Sequence, residues 1–301
     1  MPSTPPSFQP LQGTRILSLA LNLPGPAALM RCRQMGATCV KLEPPAGDPM
    51  GLYNKPAYAQ LHEGVKVLTA DLKSEAGQKM LHRELEKTDV LLTSFRPSAI
   101  EKLDLGWKKI HSLYPALSHV AIVGAPGALG EEPGHDLTYM AHNDLLTGMD
   151  LPPTLYADMS GSLMASEAVL QAALRQREPY AGTGEPHPQG VFLEVALSEA
   201  ASYLGLPRQW GLTQPTGSVG GAHAGYRVYA CKDGRAAVAA LEPHFAAALC
   251  EAAGVQMKDM TTMFASATHQ AVAAFMLTQT REQLDKLAQE KDIPLHTLSN
   301  Q

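Results

Sequence analysis

Short, continuous apolar runs alternate along this chain with longer stretches whose apolar positions recur at helical spacing. After a Pro- and Ser-rich start (1–10), residues 14–21 read as a buried strand. Pro24-Gly25-Pro26 then opens a helix that ends at Gly36. A second strand over 38–43 stops at Pro44-Pro45. The unit recurs: strand at 67–70, helix at 74–87 with Ser74 and Glu75 at its start, strand at 90–93, helices near 98–103 and 107–113, strand at 117–123. Strand–helix–strand repetition with crossovers of this length predicts an α/β fold with a doubly wound, Rossmann-like parallel sheet through about residue 125. No GxGxxG follows the first strand, so the dinucleotide fingerprint is missing.

An Ala/Leu-rich helix is predicted over 159–176, a Gly/Pro/His loop over 180–190, a strand over 191–195 and a helix from Ser198. The character then changes. Residues 213–225 are rich in Gly, Thr and Pro, and 226–231 with 236–240 read as a hairpin turning at Asp233-Gly234. Helical stretches fill the remainder. These breaks predict a large domain over 1–212 and a small α+β domain over 213–301.

Of the 301 residues 45% are hydrophobic and 18% charged, enough apolar material for a core, and the net charge of -5 offers no global field for nucleic acid or an anionic membrane. The four cysteines, Cys32, Cys39, Cys231 and Cys250, form no CxxC pair and no metal-ligand spacing with histidine, and read as buried thiols. The N-terminus lacks the apolar core of a signal peptide, and no run reaches the length of a membrane span. The expectation is a cytoplasmic protein.

Three segments carry candidate acid/base groups. Gly134-His135-Asp136 follows a Gly/Pro-rich loop at the end of a predicted strand, where open α/β sheets place ligands. His135 can exchange a proton near neutral pH, or be a surface histidine; Asp136 can cap a helix. Asp158 lies just before the predicted long helix, as its cap or as a base or nucleophile. Glu242 and His244 precede a further helical stretch and either form a site or start that helix.

Taken in order, several motifs resemble the class III CoA-transferase (CaiB/BaiF) family. They are Gly13-Thr-Arg-Ile-Leu-Ser-Leu with Gly25-Pro26, the segment from Gly36 to Pro49, Asp71-Leu-Lys73, Phe95-Arg-Pro97, Leu105-Gly106 and Gly182-Thr-Gly184. The 134–143 and 240–245 segments are most similar to the α-methylacyl-CoA racemase branch. The resemblance implies inversion at the α-carbon of a 2-methylacyl-CoA by two-base proton transfer, with His135 and Asp158 on opposite faces of the carbon and Glu242 orienting the histidine. Backbone N–H groups near Asp158 would hold the thioester oxygen. It also implies CoA contacts from Pro26, Lys66, Arg96 and Tyr139, no metal, no cofactor beyond the CoA of the substrate, and a homodimer. The transferase branch would instead use Asp158 as nucleophile, and a third reading is a non-catalytic acyl-CoA-binding relative.

The chain departs from the family pattern at three places. Met50-Gly51 follows Pro49 where members carry an arginine, and His62-Glu-Gly-Val65 replaces an NRGK segment, which leaves Lys66 and Arg96 as the basic candidates for CoA phosphates or as solvated charges. Family chains also continue beyond the segment similar to 292–297, with a tail that closes two interlocked subunit rings. A shortened C-terminus is therefore expected, with interlocking left open.

Overall fold

The computed structural model describes residues 8–178 and 189–300; Gly182-Thr-Gly184 and most of the expected 180–190 loop lie outside them. The chain divides into two compact units, Met1–Gly205 and Leu206–Gln301.

The first unit is built on parallel strands β1 (Arg15–Ser18), β2 (Thr38–Glu43), β3 (Lys66–Thr69), β4 (Val90–Thr93), β5 (Ser118–Val123) and β6 (Phe192–Ala196), in the order β3-β2-β1-β4-β5-β6. The sheet expected to end near residue 125 therefore continues. Phe192 pairs with His119 and Ala196 with Val123, so β6 adds an edge after a long crossover. The helices are α1 (Pro24–Gln34), α2 (Met50–Tyr53), α3 (Lys55–Leu61), α4 (Glu75–Leu85), α5 (Pro97–Lys102), α6 (Trp107–Leu113), α7 (Asp136–His142), α8 (Tyr156–Arg177) and α9 (Leu197–Gln209).

Side-chain alternation along each strand feeds two apolar layers. Ile16, Leu92, Val120 and Val195 pack with Leu29 of α1 and Val169 of α8, while Leu17, Val40 and Leu91 pack with Leu81 of α4, Ile100 of α5 and Ile110 of α6. Gly25 lets α1 start hard against the end of β1, since a Cβ there would fall 2.1 Å from Ala20 Cβ. The 22-residue α8 has small residues on its buried face (Gly161, Ala165, Ala168, Ala172), so it lies close on the sheet and on α1.

In the second unit, β7 (Tyr226–Cys231), β8 (Gly234–Ala239) and β9 (Leu295–Ser299) form an antiparallel sheet in the order β7-β8-β9. The hairpin is as expected, with Cys231 opposite Gly234. The third strand comes from a segment read as helical. It pairs along β8 from Leu295 opposite Val238 to Ser299 opposite Gly234. Helices α10 (Pro243–Ala252), α11 (Ser266–Thr278) and α12 (Arg281–Lys291) cover the face carrying Tyr229, Cys231, Ala236 and Val238. All four cysteines are free and buried, and burial pushes Cys32 and Cys39 up to about 12. Among the described residues no helix is long and apolar enough to cross a membrane.

Candidate functional site

Strand order reverses between β1 and β4, which places a crevice at their carboxyl ends, where open α/β sheets bind ligands. The loop after β1 crosses to the loop after β4: Leu19 N donates to Leu92 O (2.9 Å) and Leu21 N to Ser94 Oγ (3.1 Å). Arg96 follows as the residue preceding α5, with an exposed side chain. Pro26 is buried in the first turn of α1.

The acid/base candidates occupy the same edge, on α7 and α8. His135 is the N-cap of α7; its backbone N–H donates to Thr138 Oγ1 (3.0 Å) and its side chain is exposed. Asp158 lies inside the first turn of α8, which starts at Tyr156, three residues before the predicted start. It therefore does not cap that helix. Asp136, buried at 5% exposure, supplies the cap from the neighbouring helix: Asp158 N donates to Asp136 Oδ1 (2.9 Å). Burial and the Asp136 charge push the half-buried Asp158 carboxyl up from 3.8 to about 6, with His135 pulling the other way. His135 and Asp158 thus share one electrostatic environment.

Tyr139 completes this group. Its ring lies against Gly134 and its hydroxyl against Gly124, where an added Cβ would come within 2.6 Å and 2.3 Å respectively. Burial and Asp158 raise its phenol, and Arg96 lowers it. One cavity of about 430 Å³ lies alongside, lined by Gly124, Leu129, Tyr139, His142, Asn143 and Ser198. A larger one, about 760 Å³, lies in the second unit between β7, β8 and β9 and the turn near Gly220.

Electrostatics couples Asp158 to His135 and to Tyr139, and Tyr139 to Arg96. Lys66 opens the edge strand β3, level with Val40, and is exposed. Glu242 belongs to the second unit, exposed at the start of α10, with His244 just inside it. Of the backbone N–H groups near Asp158 expected to hold the thioester oxygen, that of Asp158 itself donates to Asp136.

Two features were missed. Tyr53, at the end of α2, is raised by partial burial and by the carboxylates of Asp48 and Asp158. Lys41 is fully buried on β2 between Asp48, Glu43 and His62. Its sequence signal was a lysine inside an apolar strand with acids two and seven residues on.

The fold defines an α/β protein with a doubly wound parallel sheet, and His135 and Asp158 lie on the helices that follow its carboxyl ends. The model of CoA-transferase family III matches residues 11–300, and the chain belongs to that family. It is 29% identical to a succinyl-CoA–D-citramalate CoA-transferase of Chloroflexus aurantiacus, over 95% of this chain and 77% of that protein. It is also 29% identical to the α-methylacyl-CoA racemase of Mus musculus, over 85% of this chain and 68% of the relative. A probable fatty acyl-CoA transferase of Mycobacterium tuberculosis is 32% identical over 59% of this chain, and the match spans only 49% of that protein. A CaiB/BaiF family protein from Brucella suis shares the fold, with a TM-score of 0.76 at 22% identity over 97% of this chain and 85% of that one.

Proposed function

We propose that this chain racemises or epimerises a 2-methylacyl-CoA thioester by two-base proton transfer between His135 and Asp158. The observation that carries the reading is their shared site, with Asp158 raised to about 6, close to the ordinary range of histidine. A carboxyl that holds its proton up to about 6 can take the α-proton or return one, as inversion in either direction requires.

In the reaction the base on one face removes the α-proton and its electron pair moves onto the thioester carbonyl, giving an enolate. The conjugate acid on the opposite face then returns a proton to the α-carbon and the carbonyl re-forms. No net proton is consumed. With the Asp158 amide engaged by Asp136, the first-turn amides of Tyr156 and Ala157 are the donors α8 offers the enolate oxygen. Arg96 suits a CoA phosphate.

The test is α-hydrogen exchange: a single epimer of a 2-methylacyl-CoA is incubated in heavy water, and deuterium incorporation and optical purity are followed. Exchange with loss of optical purity supports the reading, and retained racemisation after His135→Ala or Asp158→Ala would sink it. The transferases among the relatives motivate the second reading, with Asp158 as nucleophile. Its signature is a covalent acyl or CoA adduct on Asp158 without α-exchange.

A further inference from the structure

Behind the crevice loops lies a group of ionisable side chains that the acid/base chemistry does not use. Lys41 has no exposed surface. Its ammonium, a donor of three hydrogen bonds and an acceptor of none, meets three acceptors: the Asp48 carboxylate, Glu43 Oε1 at 3.1 Å and His62 Nε2 at 2.8 Å. Nε2 must therefore be the acceptor nitrogen of a neutral ring, leaving the proton on Nδ1, which donates to Tyr58 O (2.8 Å). Tyr58 in turn donates its hydroxyl to Glu43 Oε1 (2.9 Å). Burial and the Lys41 charge lower the pKa of His62.

The second oxygen of Asp48 reaches two loops at once. Oδ1 accepts from Asn22 N (3.1 Å) and from Met50 N (2.9 Å). Asn22 is left-handed, with φ of 65°, a conformation asparagine adopts more readily than other residues with a Cβ. It sits at the carboxyl end of β1, one residue past the Leu21–Ser94 contact that spans the crevice. Met50 opens α2, whose last residue, Tyr53, feels the charge of Asp158.

We infer that Asp48, fixed by Lys41, is a positioning residue for acyl-CoA binding, holding the Asn22 turn and the start of α2 at the crevice while His62 is neutral. The inference rests on the acyl-CoA reading above. A proton on His62 Nε2 would take away one Lys41 acceptor and set a second positive charge against the ammonium. Its surroundings are Lys41 and Glu43 from β2, Asp48 from the loop before α2 and Tyr58 from α3, with the Arg33–Glu63 pair outside. The two carboxylates favour the protonated ring, while burial and Lys41 oppose it with the larger effect. The lock is therefore closed above the ordinary histidine value of 6.5 and opens as pH falls below it.

The test measures CoA affinity by calorimetry between about pH 8 and about pH 5 for the full chain and the variants Asp48→Asn and His62→Gln, with amide exchange as a second readout. Gln at 62 offers Lys41 an amide oxygen and does not titrate. Asp48→Asn is expected to weaken CoA binding about tenfold and to lower protection of the Asn22 and Met50 amides by a similar factor, with the central strands still protected. On acidification the wild type should lose about tenfold more affinity than His62→Gln, a comparison that cancels the titration of CoA itself. If Asp48→Asn does not fold, the His62→Gln comparison decides alone. CoA binding indifferent to both variants would overturn the positioning role. Failure of the wild type to bind CoA at any pH would instead sink the acyl-CoA reading, and the ligand named here with it.

Discussion

The backbone N–H of Asp158 donates to the side chain of Asp136, 22 residues earlier in the chain, at 2.9 Å. One buried carboxylate therefore joins the start of α7, which carries His135, to the start of α8, which carries Asp158. Asp136 fixes the spacing of the two catalytic candidates, and its charge strengthens the hold of Asp158 on a proton.

Replacing Asp136 separates these effects. Asp136→Asn keeps an oxygen for the Asp158 amide but removes the charge, so the acid limb of kcat/KM should move down by about one unit with kcat largely retained. Asp136→Ala also removes the acceptor, and kcat should fall by about tenfold to a hundredfold. pH–rate profiles of the two variants distinguish them.

His135 acts on Asp158 in the opposite direction, its charge lowering the carboxyl. In His135→Gln the Asp158 carboxyl should therefore titrate above about 6, seen by carboxyl-selective NMR or by the pH dependence of exchange at whichever face remains competent. An unmoved Asp158 would mean that the two groups are not coupled.

Folded Asp158 releases its proton at about 6 against an ordinary 3.8, so the folded state binds that proton more tightly than the unfolded chain does. Stability is therefore lost as pH rises through this window and stays lower above it. Asp158→Asn, which cannot ionise, should stabilise the protein at pH 7 by on the order of 1–2 kcal/mol and leave it unchanged near pH 4. Denaturant titrations at the two pH values check both halves of this statement.

Gly134→Ala should disturb Tyr139 directly, because the new Cβ would come within 2.6 Å of its ring and hydroxyl. A cost of about 1–3 kcal/mol in urea unfolding is expected from overpacking. A drop in activity larger than that of Tyr139→Phe would show that the ring position matters more than its hydroxyl.

The parallel sheet was legible because each of its buried strands is a near-continuous apolar run, and the Asp-Gly turn announced the hairpin. Asp158 was misplaced for a physical reason. The segment at 152–158 contains Pro152-Pro153 and no capping residue at Leu155, since the cap comes from Asp136 across space. β9 was read as part of a helical stretch because its Leu-His-Thr-Leu pattern is ambiguous alone and becomes a strand only beside β8. Lys41 resembled an interruption in an apolar strand, and the partners that make it a buried ammonium come from two later segments. His135 and Asp158 were singled out by local context and motif order; the tie of Asp158 to Asp136 needed coordinates.

The buried ammonium also constrains how this sequence can change. Losing Lys41 alone leaves two buried carboxylates without their cation, and losing Asp48 alone leaves the ammonium with only Glu43 and His62; breaking comparable buried pairs costs about 3–5 kcal/mol. Joint replacement by apolar residues of similar volume is often neutral. Positions 41, 43 and 48 are therefore coupled: a single apolar replacement among them is costly where a joint exchange is not.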